Sequence, residues 1–268
     1  MQLLVLFLAA LVGVSLGVIG GGGSILTVPI LVYVLGINPL LATSYSLFIV
    51  GATSLVGAFN SWRQGQVKIK TALLFGTASV STVFATRKLL VPLIPHHIAR
   101  IGRFDITASL LTMVLFALLM LAAAIAMIKN GSNKTAQSQP TEAGQKIRFS
   151  RLLLYGVAIG LATGFLGAGG GFLLIPTLVL LVGLTMQEAI GTSLLIIALN
   201  SLIGFTGDIG HFAIDWILLL KITAVAIAGI FAGGYIARRT DTAKLKKLFG
   251  WFVLLMGIYI LIHEIYAG

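Results

Sequence analysis

The chain lacks cysteine altogether, so disulfides, thiol chemistry and cysteine-based metal sites are excluded. It is equally poor in charge: 9% of residues are Asp, Glu, Lys or Arg, where a soluble domain carries about 25%. Only 7 acidic residues face 18 basic ones, and none of the acidic ones forms a paired site at the centre of an apolar segment. That argues against a cation pump. What the sequence has in abundance is apolar sequence, 58% of residues, with a mean hydropathy of +1.08. Apolar stretches able to span a bilayer, which takes roughly 20 residues each, recur along the whole length. The chain therefore reads as a multi-pass integral membrane protein with the lipid bilayer as its first partner. The net charge of +11 does not indicate a nucleic-acid partner, because the basic residues lie between apolar segments, where membrane topology puts them.

Glycine is the second excess, with 32 residues, and it is concentrated twice. Gly20-Gly21-Gly22-Gly23-Ser24 sits inside one apolar run, with Pro29 five residues on; Gly167-Ala168-Gly169-Gly170-Gly171 sits inside another, with Pro176 five residues on. The two blocks stand 147 positions apart. Gly36 matches Gly183 at the same spacing, and Thr43-Ser44 matches Thr192-Ser193 after a two-residue insertion. The chain is thus an internal duplication. The first repeat covers 1–128, a polar cytoplasmic linker 129–150, and the second repeat 151–268. Each repeat has four apolar segments, about Leu3–Leu35, Leu40–Trp62, Ile69–Val91 and Ile106–Ile128, then Leu152–Val182, Ala189–Thr206, Ile214–Ala237 and Leu245–His263. The first segment of each repeat is too long for one span, too short for two, and broken at the glycines.

A broken or re-entrant first segment makes each repeat cross the membrane three times net, so the repeats are inverted. The expected fold is all-α: two inverted repeats, each a broken first segment plus three transmembrane helices. Charge supports this. With Arg238–Lys247 inside, the inverted arrangement also places inside Arg63, Lys68, Lys70, Lys129, Lys134, Lys146, Arg148 and Arg151, leaving Arg87, Lys88, Arg100, Arg103 and Lys221 outside. A parallel arrangement divides the 18 basic residues evenly. The positive-inside rule favours inversion.

Two helix breaks at equivalent positions of a duplicated membrane chain point to a transport site. A helix opening at a glycine turn offers unpaired N–H groups and the positive end of its dipole, which suits an anion. The candidate binding residues are Gly21, Gly22, Gly23 and Ser24 with Gly169, Gly170 and Gly171. Thr43, Ser44, Thr192 and Ser193 can donate hydroxyls without fixed charge, and the Asn200 amide joins them. The opposing reading is close helix packing by small residues and hydroxyls bonded within their own helix. Asp208 and His211, with Asp215, gather at the expected external end, where they form a candidate proton relay or a solvated loop. Glu188 is expected in a loop. Gly13-Val-Ser15-Leu-Gly17 fits a nucleophile-elbow pattern, but its repeat partner has Ala162 in place of Ser15 and no strand–turn–helix context exists. Neither glycine cluster continues into Lys-Ser/Thr, so there is no nucleotide loop. No enzyme activity, metal or cofactor is expected.

The run Gly17-Val-Ile-Gly-Gly-Gly-Gly-Ser-Ile-Leu-Thr-Val-Pro29 with Ala42-Thr-Ser44, and Gly164-Phe-Leu-Gly-Ala-Gly-Gly-Gly-Phe-Leu-Leu-Ile-Pro176 with Gly191-Thr-Ser193, resembles the TauE/SafE family over essentially the whole chain. The resemblance implies export of sulfite, or of a small sulfur-containing organic anion such as an organosulfonate, across the bacterial plasma (inner) membrane. The residues themselves reach only a transporter for a small anion. A passive anion channel, a carrier of another sulfonate or organic acid, and a membrane assembly factor stay open as alternatives, as does a homo-oligomer.

Overall fold

The computed structural model describes residues 2–19, 25–93, 97–101, 104–130, 149–167, 169–211, 213–239 and 242–267. The whole glycine block of the first repeat, Gly20–Ser24, and the interior of the linker lie outside the described residues. The elements run α1 (Gln2–Ile19), α2 (Thr27–Pro29) passing into a π-helical turn (Ile30–Val34), α3 (Pro39–Arg63), and α4 (Ile69–Ala85) passing through a second π-helical turn (Thr86–Leu90) into α5 (Val91–Leu93). Then come a short antiparallel pair, β1 (His97–Ile101) with β2 (Phe104–Thr107), and α6 (Ala108–Asn130). The second half has α7 (Phe149–Leu166), α8 (Gly171–Val182), α9 (Met186–Asp208), α10 (Trp216–Arg239) and α11 (Thr242–Ala267). The strand pair is the one addition to an all-α expectation, and it sits in a connection.

Among the described residues, Pro39–Arg63, Ile69–Leu93, Met186–Asp208 and Trp216–Ile236 are long and apolar enough to cross a membrane; Leu6–Val18, Leu110–Ala122, Leu153–Leu166 and Val253–Glu264 are shorter apolar helices. Apolar residues face outward as freely as inward: Phe7, Leu93, Leu154 and Ile217 are largely exposed. In water such a surface would aggregate, but in lipid it is the ordinary outer face. The protein is an integral membrane protein.

Helix starts follow local chemistry. Asn38 caps α3, its side-chain oxygen accepting from the Leu40 N–H at 3.0 Å, and Pro39 takes the first helical position, where no N–H is needed. Thr185 and Glu188 form a reciprocal capping box at the start of α9. Glu188 is therefore a helical residue, in the first turn, and not in a loop.

Helix pairs are fixed by small residues, as expected where lipid removes the hydrophobic drive for association. Gly13 and Gly17 of α1 meet Gly229 and Gly233 of α10 backbone to backbone; a Cβ at any of these four would collide with the opposing main chain. The equivalent pair, α7 with α4, sets Gly156, Gly160 and Gly164 against Ser79, Thr82 and Thr86. The Gly13–Gly17 pattern is thus a packing face, which accounts for its likeness to a nucleophile elbow.

The contacts also give direction. Gly13 faces Ala226 and Gly17 faces Gly233, so α1 runs parallel to α10; Gly160 faces Ser79 and Gly164 faces Thr86, so α7 runs parallel to α4. α3 and α9 run antiparallel, with Gly204 against Leu47, Gly51 against Leu202 and Gly191 against Ser61. α6 and α11 also oppose one another: Gly257 meets Met120, while Tyr33 touches both Met113 and Glu264. Equivalent helices of the two halves, α3 with α9 and α6 with α11, point in opposite directions. An inverted duplication produces this pattern and a parallel one does not. Tyr45 meets Asp215 and Gly57 meets Ile230, so α3 is parallel to α10 and hence to α1. The chain must therefore turn back between α1 and α3, as a re-entrant first segment requires.

Candidate functional site

The second glycine block is a tight turn with three residues in the left-handed region, Gly167 (φ 65°), Gly169 (φ 65°) and Gly170 (φ 67°). An L side chain resists this backbone, costing roughly 1–2 kcal/mol per residue. The surroundings forbid one independently. A Cβ at Gly169 would stand 2.9 Å from Val50 and from Ile197, and one at Gly167 would overlap Thr43. The turn is wedged between the middle of α3 and the middle of α9. α8 opens from it with Gly170 as a left-handed N-cap that supplies no side-chain hydrogen bond. The Leu173 and Leu174 N–H groups return to the Gly170 carbonyl, while the first helical N–H groups have no preceding carbonyl to bond.

Two hydroxyls border this helix start. Thr163 faces Gly170, and Ser201 would lie 3.2 Å from a Cβ at Gly169. Both are buried, and neither has a hydrogen-bond partner among the described residues. Asn200, next along α9, donates to Ser79 Oγ at 2.7 Å and leaves its own carbonyl oxygen unpaired. A buried polar group without a partner carries a penalty of about 1–3 kcal/mol, and Thr163 and Ser201 leave unused hydrogen-bonding capacity beside the start of α8.

Nearer the end of the bundle where α3 begins lies a fully buried ion pair. Arg87 Nη1 stands 3.0 Å from Asp208 Oδ2, with side-chain exposures of 0% and 2%. The same nitrogen donates to Thr43 Oγ1 at 3.1 Å. Thr43 also donates to the Leu40 carbonyl at 2.7 Å, and its main chain supports Gly167. One threonine thus joins the arginine to the glycine turn. Arg87 belongs to the π-helical turn Thr86–Leu90, a widened helical turn that often marks functional positions.

Several expectations need correction. Arg87, counted with the basic residues on the external side, is buried inside the bundle. Asp208 is not in a solvated loop: it ends α9, buried and paired. His211 is exposed, and its backbone N–H donates to the Asp208 carbonyl at 3.1 Å; Asp215 is exposed, and its backbone N–H donates to the Tyr45 hydroxyl oxygen at 2.6 Å. Thr192 and Ser193 do not join Thr43 and Ser44. Thr192 accepts from the Lys68 N–H at 3.0 Å, and Ser193 bonds within its own helix to the Ile190 carbonyl at 2.9 Å. Because α3 and α9 are antiparallel, the two Thr-Ser pairs lie at opposite ends, about 25 Å apart at the rise of an α-helix. Ser44 is buried beside Thr43. Gly169, Gly170, Thr43 and Asn200 are brought to one region, with Gly171 opening α8. Gly21, Gly22, Gly23 and Ser24 lie outside the described residues. Sequence reasoning missed Thr163, Ser201, Ser79 and the role of Arg87. Only the first two carried a local signal, a hydroxyl beside Gly164 and one beside Asn200.

A sequence model described as "Sulfite exporter TauE/SafE" matches residues 5–260. A probable membrane transporter protein of Xylella fastidiosa (strain 9a5c) is 31% identical over 94% of this chain and 91% of its own length. The probable membrane transporter protein YdhB of Bacillus subtilis (strain 168) is 26% identical over 91% of this chain and 94% of its own, and YunE of the same organism is 24% identical over the full length of both. No solved structure matches the chain.

Proposed function

The chain belongs to the TauE/SafE family, a family of membrane transporters, and from that premise we propose that it exports sulfite, or a closely related small sulfur-containing anion, across the plasma membrane by alternating access. The observation that carries the anion reading is the left-handed turn Gly169–Gly170 opening α8 between α3 and α9, bordered by the unpartnered Thr163 and Ser201 hydroxyls. Helix N–H groups and hydroxyls bind an oxyanion in a low-dielectric interior without a fixed countercharge. The proposed site is Gly169, Gly170 and Gly171 with Thr163, Ser201 and Asn200. The first repeat contributes Thr43 and Ser44 together with its own block Gly21, Gly22, Gly23 and Ser24.

α8 is a short helix that packs mainly on α9. Rocking of one bundle against the other about this turn would expose the site to one face and then the other. Asp208 and His211, at the proposed outer end, are the groups proposed to couple transport to protons.

The test is flux in reconstituted protein, with sulfite as substrate, sulfate, thiosulfate and a small sulfonate as competitors, and a pH gradient imposed or collapsed. Saturable sulfite flux that follows the pH gradient supports the proposal. Flux of a competitor without sulfite flux removes the substrate and keeps the site. Absence of flux for every anion removes the anion-transport reading.

A further inference from the structure

Arg87 uses one of its three nitrogens. Nη1 meets Asp208 and Thr43, while Nε and Nη2 have no partner among the described residues, in a side chain with 0% exposure. These two nitrogens form the lateral edge of the guanidinium, the edge that takes two oxygens of a planar or tetrahedral oxyanion side by side. A guanidinium edge left empty in a membrane interior is costly, because unsatisfied polar groups there have no water to turn to. Thr86, the preceding residue, also has an unpartnered buried hydroxyl, and it lies against Gly164.

We propose that the Nε–Nη2 edge of Arg87 is a binding site for a small oxyanion, with the paired Asp208 as its countercharge. This deepens the anion-transport reading and rests on it for the identity of the cargo. Its position suits a station on the path. Through Thr43 it touches the turn that opens α8, and beyond Asp208 the chain reaches the surface at once, with Ile209 54% exposed and His211 exposed. Asp208 also meets an objection to any charged site in an exporter. A lone buried arginine would hold an anion too tightly to release it. A neutral Arg–Asp pair keeps the directional donors while cancelling the net charge.

The experiment is thermal stabilisation of the full chain, purified in detergent, by sulfite, sulfate and methanesulfonate against chloride at equal ionic strength. Four forms are compared: native, Arg87→Gln, Asp208→Asn, and the double variant Arg87→Gln/Asp208→Asn. The double variant removes both charges and leaves polar groups of similar size, so it keeps the test sound where Arg87→Gln alone strands a buried carboxylate and fails to fold. Native protein should be stabilised by at least one oxyanion, the double variant at least tenfold less sensitively in oxyanion concentration. Asp208→Asn, with the guanidinium uncompensated, should bind roughly tenfold more tightly. A purely structural ion pair predicts instead that the double variant responds to oxyanions as the native protein does, and that result overturns the proposal. So does a native protein indifferent to all three oxyanions. Loss of sulfite response with retained methanesulfonate response in native protein refutes the sulfite reading while leaving the Arg87 site standing.

Discussion

Lys68 Nζ stands 2.8 Å from Glu188 Oε1, joining the turn after α3 to the first turn of α9. The other carboxylate oxygen of Glu188 accepts from the Thr185 N–H at 3.1 Å and closes the capping box. One side chain therefore does two separable jobs, at the end of the bundle opposite the Arg87–Asp208 pair. The ion pair is exposed, 48% at Lys68 and 25% at Glu188, and such pairs contribute about 0–1 kcal/mol. A lost cap costs about 1 kcal/mol. Glu188→Gln, which can still close the box, should lower the unfolding free energy in detergent by less than about 1 kcal/mol. Glu188→Ala should lower it by roughly 1 kcal/mol more. Equal losses for the two variants would mean that the box contributes nothing.

Close helix approach gives a sharper contrast. Gly17→Val places its side chain in the backbone of α10, whereas at Gly234 nothing lies within 4 Å of a would-be Cβ. Gly17→Val should abolish folded, monodisperse protein on size exclusion. Gly234→Ala should leave it folded, with a melting temperature unchanged or raised, since alanine improves a helix interior by roughly 0.5–1 kcal/mol over glycine. Equal behaviour of the two would contradict the α1–α10 packing.

The membrane-spanning helices and the turn at the second glycine block are legible in the sequence because each is a local signal: apolar run length and clustered helix breakers. Arg87 is not. Thr86-Arg87-Lys88 near the end of an apolar run reads as an interfacial basic pair, and Lys88 is indeed exposed. Only the fold reveals that Asp208, 121 positions away, reaches Arg87. The recurring Thr-Ser pair misleads in a different way. Repetition suggests two halves of one site, but an inverted duplication places equivalent residues at opposite ends unless they lie near the symmetry axis. Thr43 and Thr192 are near the helix starts, far from it; Gly51 and Leu202, in mutual contact, are close to it.

At Gly170 two independent penalties act on any substitution. The backbone is left-handed, and the Cβ would run into the Thr163 hydroxyl. Gly170→Val should abolish sulfite flux in proteoliposomes while leaving membrane insertion intact. Gly170→Ala in a Thr163→Ala background removes the collision and retains only the backbone term, about 1–2 kcal/mol. That double variant should insert and fold with a lowered melting temperature. Undiminished sulfite flux from Gly170→Val would remove the α8 start from the binding site.

The inverted arrangement can be tested by labelling single introduced cysteines, because the native chain has no cysteine to remove. Gln64 lies just past the end of α3 and His211 just past the end of α9, both exposed. α3 and α9 are equivalent helices running in opposite directions, so their ends should emerge on opposite faces. Single-cysteine variants Gln64→Cys and His211→Cys, treated with a membrane-impermeant maleimide in intact cells and in inverted vesicles, should label from opposite sides. The positive-inside rule puts Gln64 with Arg63 and Lys68 on the cytoplasmic face, so Gln64→Cys should react in inverted vesicles and His211→Cys in intact cells. Labelling of both from one side would return the two halves to a parallel arrangement. The antiparallel contacts of Gly51 with Leu202 and of Gly204 with Leu47 could not survive that result.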